Sequence, residues 1–500
     1  MNNPQNDLIF ALDIGTRSVI GIVGRMENDM FHILHMVREE HTKRAMLDGQ
    51  IEDIDQVAKV TMSVKLRLEE LTECTLTKVC VAAAGRSLRM ERATALVELS
   101  QVQVVTDELI SQLEAVAVVE AEEKLIEHDK DQRYFLVGYT VAQYALDRYP
   151  MTTIKGHRGQ RLEADIVATF LPSQVVEGLY SVVQLAGLEV ASLTLEPIAA
   201  LNAVIPQDLH LLNLVLVDIG AGTSDIAVCR DGSVVGYTMA TTAGDEITEA
   251  MMKHFLVDFN TAEQMKVQLH SESQKFVDVL GADQTVSGQQ IRDSIAAPLK
   301  VLAKEIAKQI LAMNGCAPAA VFLAGGGSKL EGLSQLIAEY LEIDPRYVAI
   351  GGNNFKRTTF YDQGDIADPE YATPLGIAVS AGFGLINDSY HITLNGKEAK
   401  LFRSGVLTIM DVLMMNGYSA AALIGRTGKN LAVMVNGNKK IIRGKPSIPG
   451  ILRLNGEQAA AATVVRAADD IYFVPAIDGV SAEATVGDLL GDYSGDAYLN

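Results

Sequence analysis

Cysteine, proline and unbroken apolar stretches are all scarce in this chain of 500 residues. Its four cysteines, Cys74, Cys80, Cys229 and Cys316, lie far apart, with no CxxC pair and no histidine nearby at zinc-ligand spacing. That pattern excludes a disulfide framework and a structural zinc site, and it reads as reduced, mostly buried thiols of a cytosolic protein. With only 13 prolines and 48% hydrophobic residues, the composition is not that of a disordered chain. No run reaches about 18 uninterrupted apolar residues, so no membrane-spanning helix is expected. The opening MNNPQNDLIF lacks the charged and apolar regions of a signal peptide. Basic residues are also in deficit, 42 against 63 acids, for a formal charge of −21. A chain so acidic is not expected to wrap nucleic acid or to adhere directly to anionic lipid, so any phosphate it binds must be held locally. At this length two to four domains are expected.

What is present is a repeated plan. LIFALDIG runs into VIGIVGRMENDMFHILHMV, two β-rich runs with a turn at Glu27-Asn28-Asp29. An amphipathic helix over 51–73 follows, then the short buried strand KVCVAAAG ending on Gly85. Some 205 residues on, LVLVDIG, a turn and DIAVCRDGSVVGYTMA repeat the strand and the hairpin, this time through Asp231-Gly232, and VFLAGGGSKLEGL supplies a further strand, glycine turn and helix. Two such halves predict an internal duplication with a cleft between them. Between 86 and 163 an acid-rich helix among alternating runs reads as a separate α+β module. From 390 to 500 the style changes to β-rich, with hairpin signals at Asn395-Gly396, Asn436-Gly437 and Asn455-Gly456, and the acidic ending is expected to fray.

Each half ends its first strand on an aspartate followed by residues with backbone freedom: Asp13-Ile14-Gly15-Thr16-Arg17 and Asp218-Ile219-Gly220-Ala221-Gly222-Thr223. Glycine lets backbone N–H groups approach an anion, and threonine adds a hydroxyl donor, which together make a phosphate cradle. A carboxylate there would repel bare phosphate. It fits where a hydrated Mg²⁺ stands between the two, so Asp13 and Asp218 are read as holding the metal through water. Gly325, Gly326 and Gly327, with Lys329 just beyond, offer a flat surface for a base or ribose beside a helix start. Glu196 precedes a proline that suits the first helical turn, and it is a candidate for orienting an attacking water. The smooth faces around Ala199, Ala200 and Ala203 and around Ala372, Gly376 and Ser380 would let two helices cross closely, as a hinge.

These residues resemble the phosphate-one, phosphate-two and adenosine motifs of the actin-like ATPase superfamily, in order and spacing, from residue 8 to about 385. Within it the chain looks most like the bacterial cell-division FtsA proteins, because VCVAAAGRSLRM and RLEADIVATFLP resemble the points where that family leaves and re-enters its first subdomain around an inserted 1C module. The resemblance implies a duplicated, ribonuclease H-like α/β fold of two lobes. Subdomain 1A would span 1–85 and 164–205, an SHS2-type 1C module 86–163, and subdomains 2A and 2B 206–385. It also implies that Gly244, Asp245 and Glu246 lie near the nucleotide, and Glu263 and Lys266 near its ribose and adenine.

The implied function is an ATP- and Mg²⁺-binding adaptor that self-associates as a dimer or filament in division, with slow hydrolysis and with FtsZ or another division or envelope assembly protein as partner. Its expected place is cytoplasmic, or peripheral at the inner face of the membrane through partners. Two departures stand out. Glu196 in LEPIAA resembles the chaperone ATPases rather than FtsA, and the acidic ending differs from the family's basic membrane helix, which leaves direct membrane binding without support. Two rival readings are a PilM-like pilus assembly protein and an actin-fold metabolite kinase, the latter lacking an evident acceptor-side base.

Overall fold

Three consecutive strands, Ile9–Ile14, Ser18–Glu27 and Met30–Glu40, pair antiparallel in chain order. The tight turn between the last two falls on Asn28 and Asp29, both at positive φ, a conformation their short polar side chains tolerate. The computed structural model describes residues 8–490, apart from 42–44, 48, 85–87, 130–131, 133, 231–232, 384–391, 400–406, 417, 419–420, 436–437 and 466–468. Strands Lys78–Ala83 and Glu189–Leu195 extend the first sheet in parallel beside Ile9–Ile14, and Thr359–Phe360 closes its other edge. Helix Ile54–Thr72 covers one face. The side chain of Asp53 caps it by accepting the Gln56 N–H at 3.0 Å, and Val57, Val64 and Leu68 point into the core.

The second lobe repeats the design. Strands Leu214–Ile219, Ser224–Arg230 and Ser233–Ala240 form its antiparallel meander, and Ala320–Ala324 and Val348–Ile350 add to it in parallel. The aspartate is the fifth of six residues in each leading strand, IFALDI and LVLVDI. The turns match as well: the Gly15 N–H donates to the Ser18 carbonyl at 3.0 Å, and the Gly220 N–H to the Thr223 carbonyl at 2.9 Å. Helix Gly288–Asn314, opened by a reciprocal cap between Ser287 and Gln290, packs Ile291, Ile295, Leu302 and Ile306 onto this sheet.

Between the parallel strands of the first lobe the chain makes a second layer. Strands Arg89–Val104, Arg158–Pro172, Tyr134–Leu146 and Tyr149–Met151 form an antiparallel sheet with helix Asp107–His128 against it. Residues on both sides of 163 lie in one strand, which runs straight into helix Ser173–Leu185.

Helices Glu196–Val204 and Ala372–Gly382 cross at the base of the lobes, as their small faces led us to expect. A Cβ on Gly376 would lie 1.8 Å from the Ala199 carbonyl oxygen, so only glycine permits this approach. The Asn202 amide donates to the Ser380 hydroxyl at 2.9 Å across the same crossing.

Residues 389–500 form a separate compact unit. Its sheet runs in the order Lys397–Glu398, Thr393–Leu394, Asp470–Val474, Ile451–Leu454, Glu457–Gln458, with the last strand in the chain central and parallel to the first. Helix Ile409–Met415 accompanies this sheet, and the unit's core is built on Ile392, Ile409, Val412, Ile471 and Phe473. Two of the expected Asn-Gly turns are hairpins with both residues at positive φ, Asn395-Gly396 and Asn455-Gly456. Gly85, Asp231-Gly232, Asn436-Gly437 and the ending 491–500 lie outside the described residues. The thiols need a correction: Cys80 and Cys229 are buried, but Cys74 is half-buried and Cys316 exposed, because they sit at element ends rather than inside strands.

Candidate functional site

The strand ends of the two lobes face each other across a cavity of about 440 Å³. Asp13, Gly15, Thr16 and Arg17 line it from the first lobe, and Asp218, Gly220, Gly222, Thr223, Gly244, Glu263 and Lys266 from the second. Glu196, Gly325, Gly326, Gly327 and Lys329 also line it. Asp245 and Glu246, expected beside a nucleotide, do not. They open helix Gly244–Phe255, where the Asp245 N–H donates to the Ala221 carbonyl and the Glu246 carboxylate accepts the Ala243 N–H.

The floor of the cavity is unusually acidic. Asp13, Asp218 and Glu196 are each enclosed apart from their exposure to the cavity, and Asp225 is buried. Burial, reinforced by the charge of Asp218, pushes the Asp13 carboxyl up to about 7. Burial raises Asp218 to about 6, against the opposing hydrogen bond donated by the Thr373 hydroxyl at 2.5 Å. Glu196 is held well above its ordinary value by burial first, then by Asp225, Asp13 and Asp218. Carboxylates crowded in this way favour either protons or a cation. Hard carboxylate oxygens are the kind of donor that a hydrated Mg²⁺ takes.

The glycine turns pack closely on one another beside Asp218. A Cβ on Gly325, which has φ +76°, would lie 2.3 Å from an Asp218 carboxylate oxygen and 2.4 Å from the Ile219 carbonyl, so the third turn can approach the second only as glycine. A Cβ on Gly244 would lie 3.1 Å from the Gly220 carbonyl. The start of helix Gly244–Phe255 thus abuts the second turn, and its positive end adds to the field there.

Toward the mouth, cations and acids pair across the lobes. Arg17 bridges to Glu263, which also takes Lys266 at 2.7 Å and the Thr248 hydroxyl at 2.6 Å. Burial raises the Glu263 carboxyl, but Lys266, Thr248 and Arg17 outweigh it and hold the group below its usual value. Lys329 pairs with Asp368 at 2.7 Å and Glu370 at 3.1 Å, and Glu370 also takes Arg38 at 2.6 Å. Sequence reasoning missed Asp225, Thr373, Arg38, Glu370 and His270, all of which line the cavity. Asp225 had a signal, since it stands two residues past Thr223 in the same motif and accepts that hydroxyl at 3.0 Å. The other four come from segments without a motif.

Fold and cleft are those of an actin-like, two-lobed α/β protein. Its sequence relatives are cell-division FtsA proteins. A profile of the family described as cell division protein FtsA matches residues 215–376. The chain is 26% identical to cell division protein FtsA of Bacillus subtilis over 393 residues, 75% of this chain and 83% of the relative. It is 24% identical to that of Pseudomonas aeruginosa, over 71% of this chain and 87% of the relative. Among solved structures, a PilM–PilN type IV pilus biogenesis complex matches the fold with a TM-score of 0.54, at 17% identity, covering 75% of this chain and 98% of that one.

Proposed function

We propose that the chain is an FtsA-like adaptor that closes its two lobes on Mg²⁺–ATP and self-associates in the closed state, in the cytoplasm or at the inner face of the membrane through division or envelope assembly partners such as FtsZ. The observation that carries this reading is that Asp13 and Asp218, from separate lobes, line one cavity with three glycine turns. Bound Mg²⁺ would supply positive charge against the phosphates. Asp13 and Asp218 would hold it through water, and the N–H groups and hydroxyls of Thr16 and Thr223 would donate to phosphate oxygens. Gly325–Gly327 take the adenosine, with Glu263 and Lys266 at its ribose side. Glu196 accepts a proton from the attacking water and orients it. Catalysis here is positioning and electrostatics, and slow turnover is compatible with an adaptor that signals by occupancy.

The test is calorimetric titration of Mg²⁺–ATP into the protein and into Asp218→Ala, paired with sedimentation and negative-stain microscopy with ATP, with ADP and with neither. Asp218→Ala should weaken uptake about tenfold or more and abolish ATP-dependent assembly. Unchanged uptake and assembly in the variant would sink the proposal. The pilus-assembly reading rests on the likeness in fold to the PilM–PilN complex. Pull-down of FtsZ against a short pilin-machinery peptide separates the two. A metabolite-dependent burst of ADP would instead favour the kinase.

A further inference from the structure

Charge is segregated along this chain in a way its total conceals. From Val412 to Gly456 there are seven Lys and Arg residues, among them Lys429, Lys439, Lys440, Arg443 and Lys445, and no Asp or Glu, in a chain with 63 acids. At the centre of this segment strands Leu431–Val435 and Asn438–Ile442 form a two-stranded sheet that pairs with no other strand among the described residues. Nor, among those residues, does any backbone bond run along the outer edge of either strand. Between 424 and 450 the only described residue that is buried is Gly428. Met434 and Ile441 share one face of the hairpin and are 66% and 57% exposed. On the other face the Lys440 ammonium donates to the Leu489 carbonyl at 3.0 Å.

A hairpin of this kind is marginal by itself, and its open edges are templates for another strand. Its charge decides which strand. Two copies set edge to edge would bring lysines together, which disfavours self-pairing. A lipid surface would welcome the cations, but backbone groups left open at an edge are costly to bury in hydrocarbon. An extended acidic segment satisfies both the edge and the charge, and its apolar residues on the face that carries Ile441 would cover that side chain.

We propose that this hairpin docks an extended acidic segment of a partner protein, with Asp or Glu alternating with Val or Ile, added as a third strand along Asn438–Ile442 beside Lys439, Lys440 and Arg443. The site is separate from the nucleotide cleft and does not depend on the reading given to it. The test uses full-length protein and fluorescence anisotropy with a labelled synthetic peptide of alternating Glu and Val. Binding is expected, weakening steeply with added salt and falling about tenfold or more in the Lys439→Gln, Lys440→Gln double variant. That variant should melt like the parent protein, because both ammonium groups are exposed. A peptide of alternating Lys and Val should not bind, and one N-methylated on alternate amides should bind far more weakly, since it cannot pair along the edge. Equal binding of either control overturns strand addition. Absence of any peptide uptake overturns the site. Lysine-dependent co-sedimentation with phosphatidylserine vesicles, or lysine-dependent self-association, with no peptide binding, reassigns the surface to lipid or to a second copy and overturns the proposal as well.

Discussion

Enclosing Asp13, Asp218, Glu196 and Asp225 around one cavity costs the ligand-free protein stability, because each charge lost water and gained like-charged neighbours. The folded values of Asp13 (about 7) and Asp218 (about 6) exceed the ordinary 3.8, so between those limits the folded chain binds more protons than the unfolded one. The stabilising contribution of the protonated forms is complete below the unfolded value and is lost as pH rises through 6 and then 7. Scanning calorimetry without nucleotide or metal should therefore show this contribution shrinking from about pH 4 to about pH 7 and level above that. Asp13→Asn should flatten that slope and melt higher than the parent protein at the alkaline end, while losing the stabilisation that Mg²⁺–ATP gives. An unchanged slope in the variant would mean that the carboxylates are better solvated than the cleft implies.

At the scale of elements, the crossing of helices Glu196–Val204 and Ala372–Gly382 sets the geometry of the cleft. The first begins with Glu196, and the second carries Thr373, whose hydroxyl holds Asp218. Gly376 is where the two backbones come closest, and a methyl group there meets a carbonyl rather than a movable side chain. Gly376→Ala should lower stability by about 1–3 kcal/mol, read in denaturant titration, and weaken nucleotide binding beyond that loss by spreading Glu196 and Thr373. If binding is spared while stability falls, the crossing is only structural. Helical Ala, Gly and Ser spaced four apart made this contact readable in the sequence. Glycines before the cleft were equally readable, because positive φ or close approach leaves a residue signature. Thr373 left none, since its task is defined by an aspartate 155 residues away.

As a whole molecule the chain is two compact units, 1–388 and 389–500, each with its own core. Calorimetry of the full chain should resolve a transition that shifts with Mg²⁺–ATP and another that does not. At a ligand concentration of about 100 Kd the stabilisation of the first should be about 2.7 kcal/mol. Fragments cut at 388 and 389 should fold separately, the larger keeping nucleotide uptake and the smaller showing cooperative unfolding by circular dichroism. A smaller fragment that fails to fold would make the C-terminal unit dependent on the body. Net charge misleads at this scale. The total of −21 argued against wrapping nucleic acid and adhering to anionic lipid, yet a Debye length of about 8–10 Å means that a docking protein segment responds to the local hairpin rather than to the sum.

By itself the sequence determined the duplicated plan, the strand ends that carry Asp13 and Asp218, the glycine turns and the β-rich final unit, because each is a matter of local backbone freedom, hydrophobic period or turn chemistry. Only the tertiary structure decided that Asp225, Thr373, Arg38 and Glu370 share the cavity with them, that the Glu246 carboxylate accepts the Ala243 N–H, and that Arg17 reaches Glu263 on the opposite lobe. Those outcomes depend on which distant segments the fold sets side by side, and no pattern within a single element encodes that.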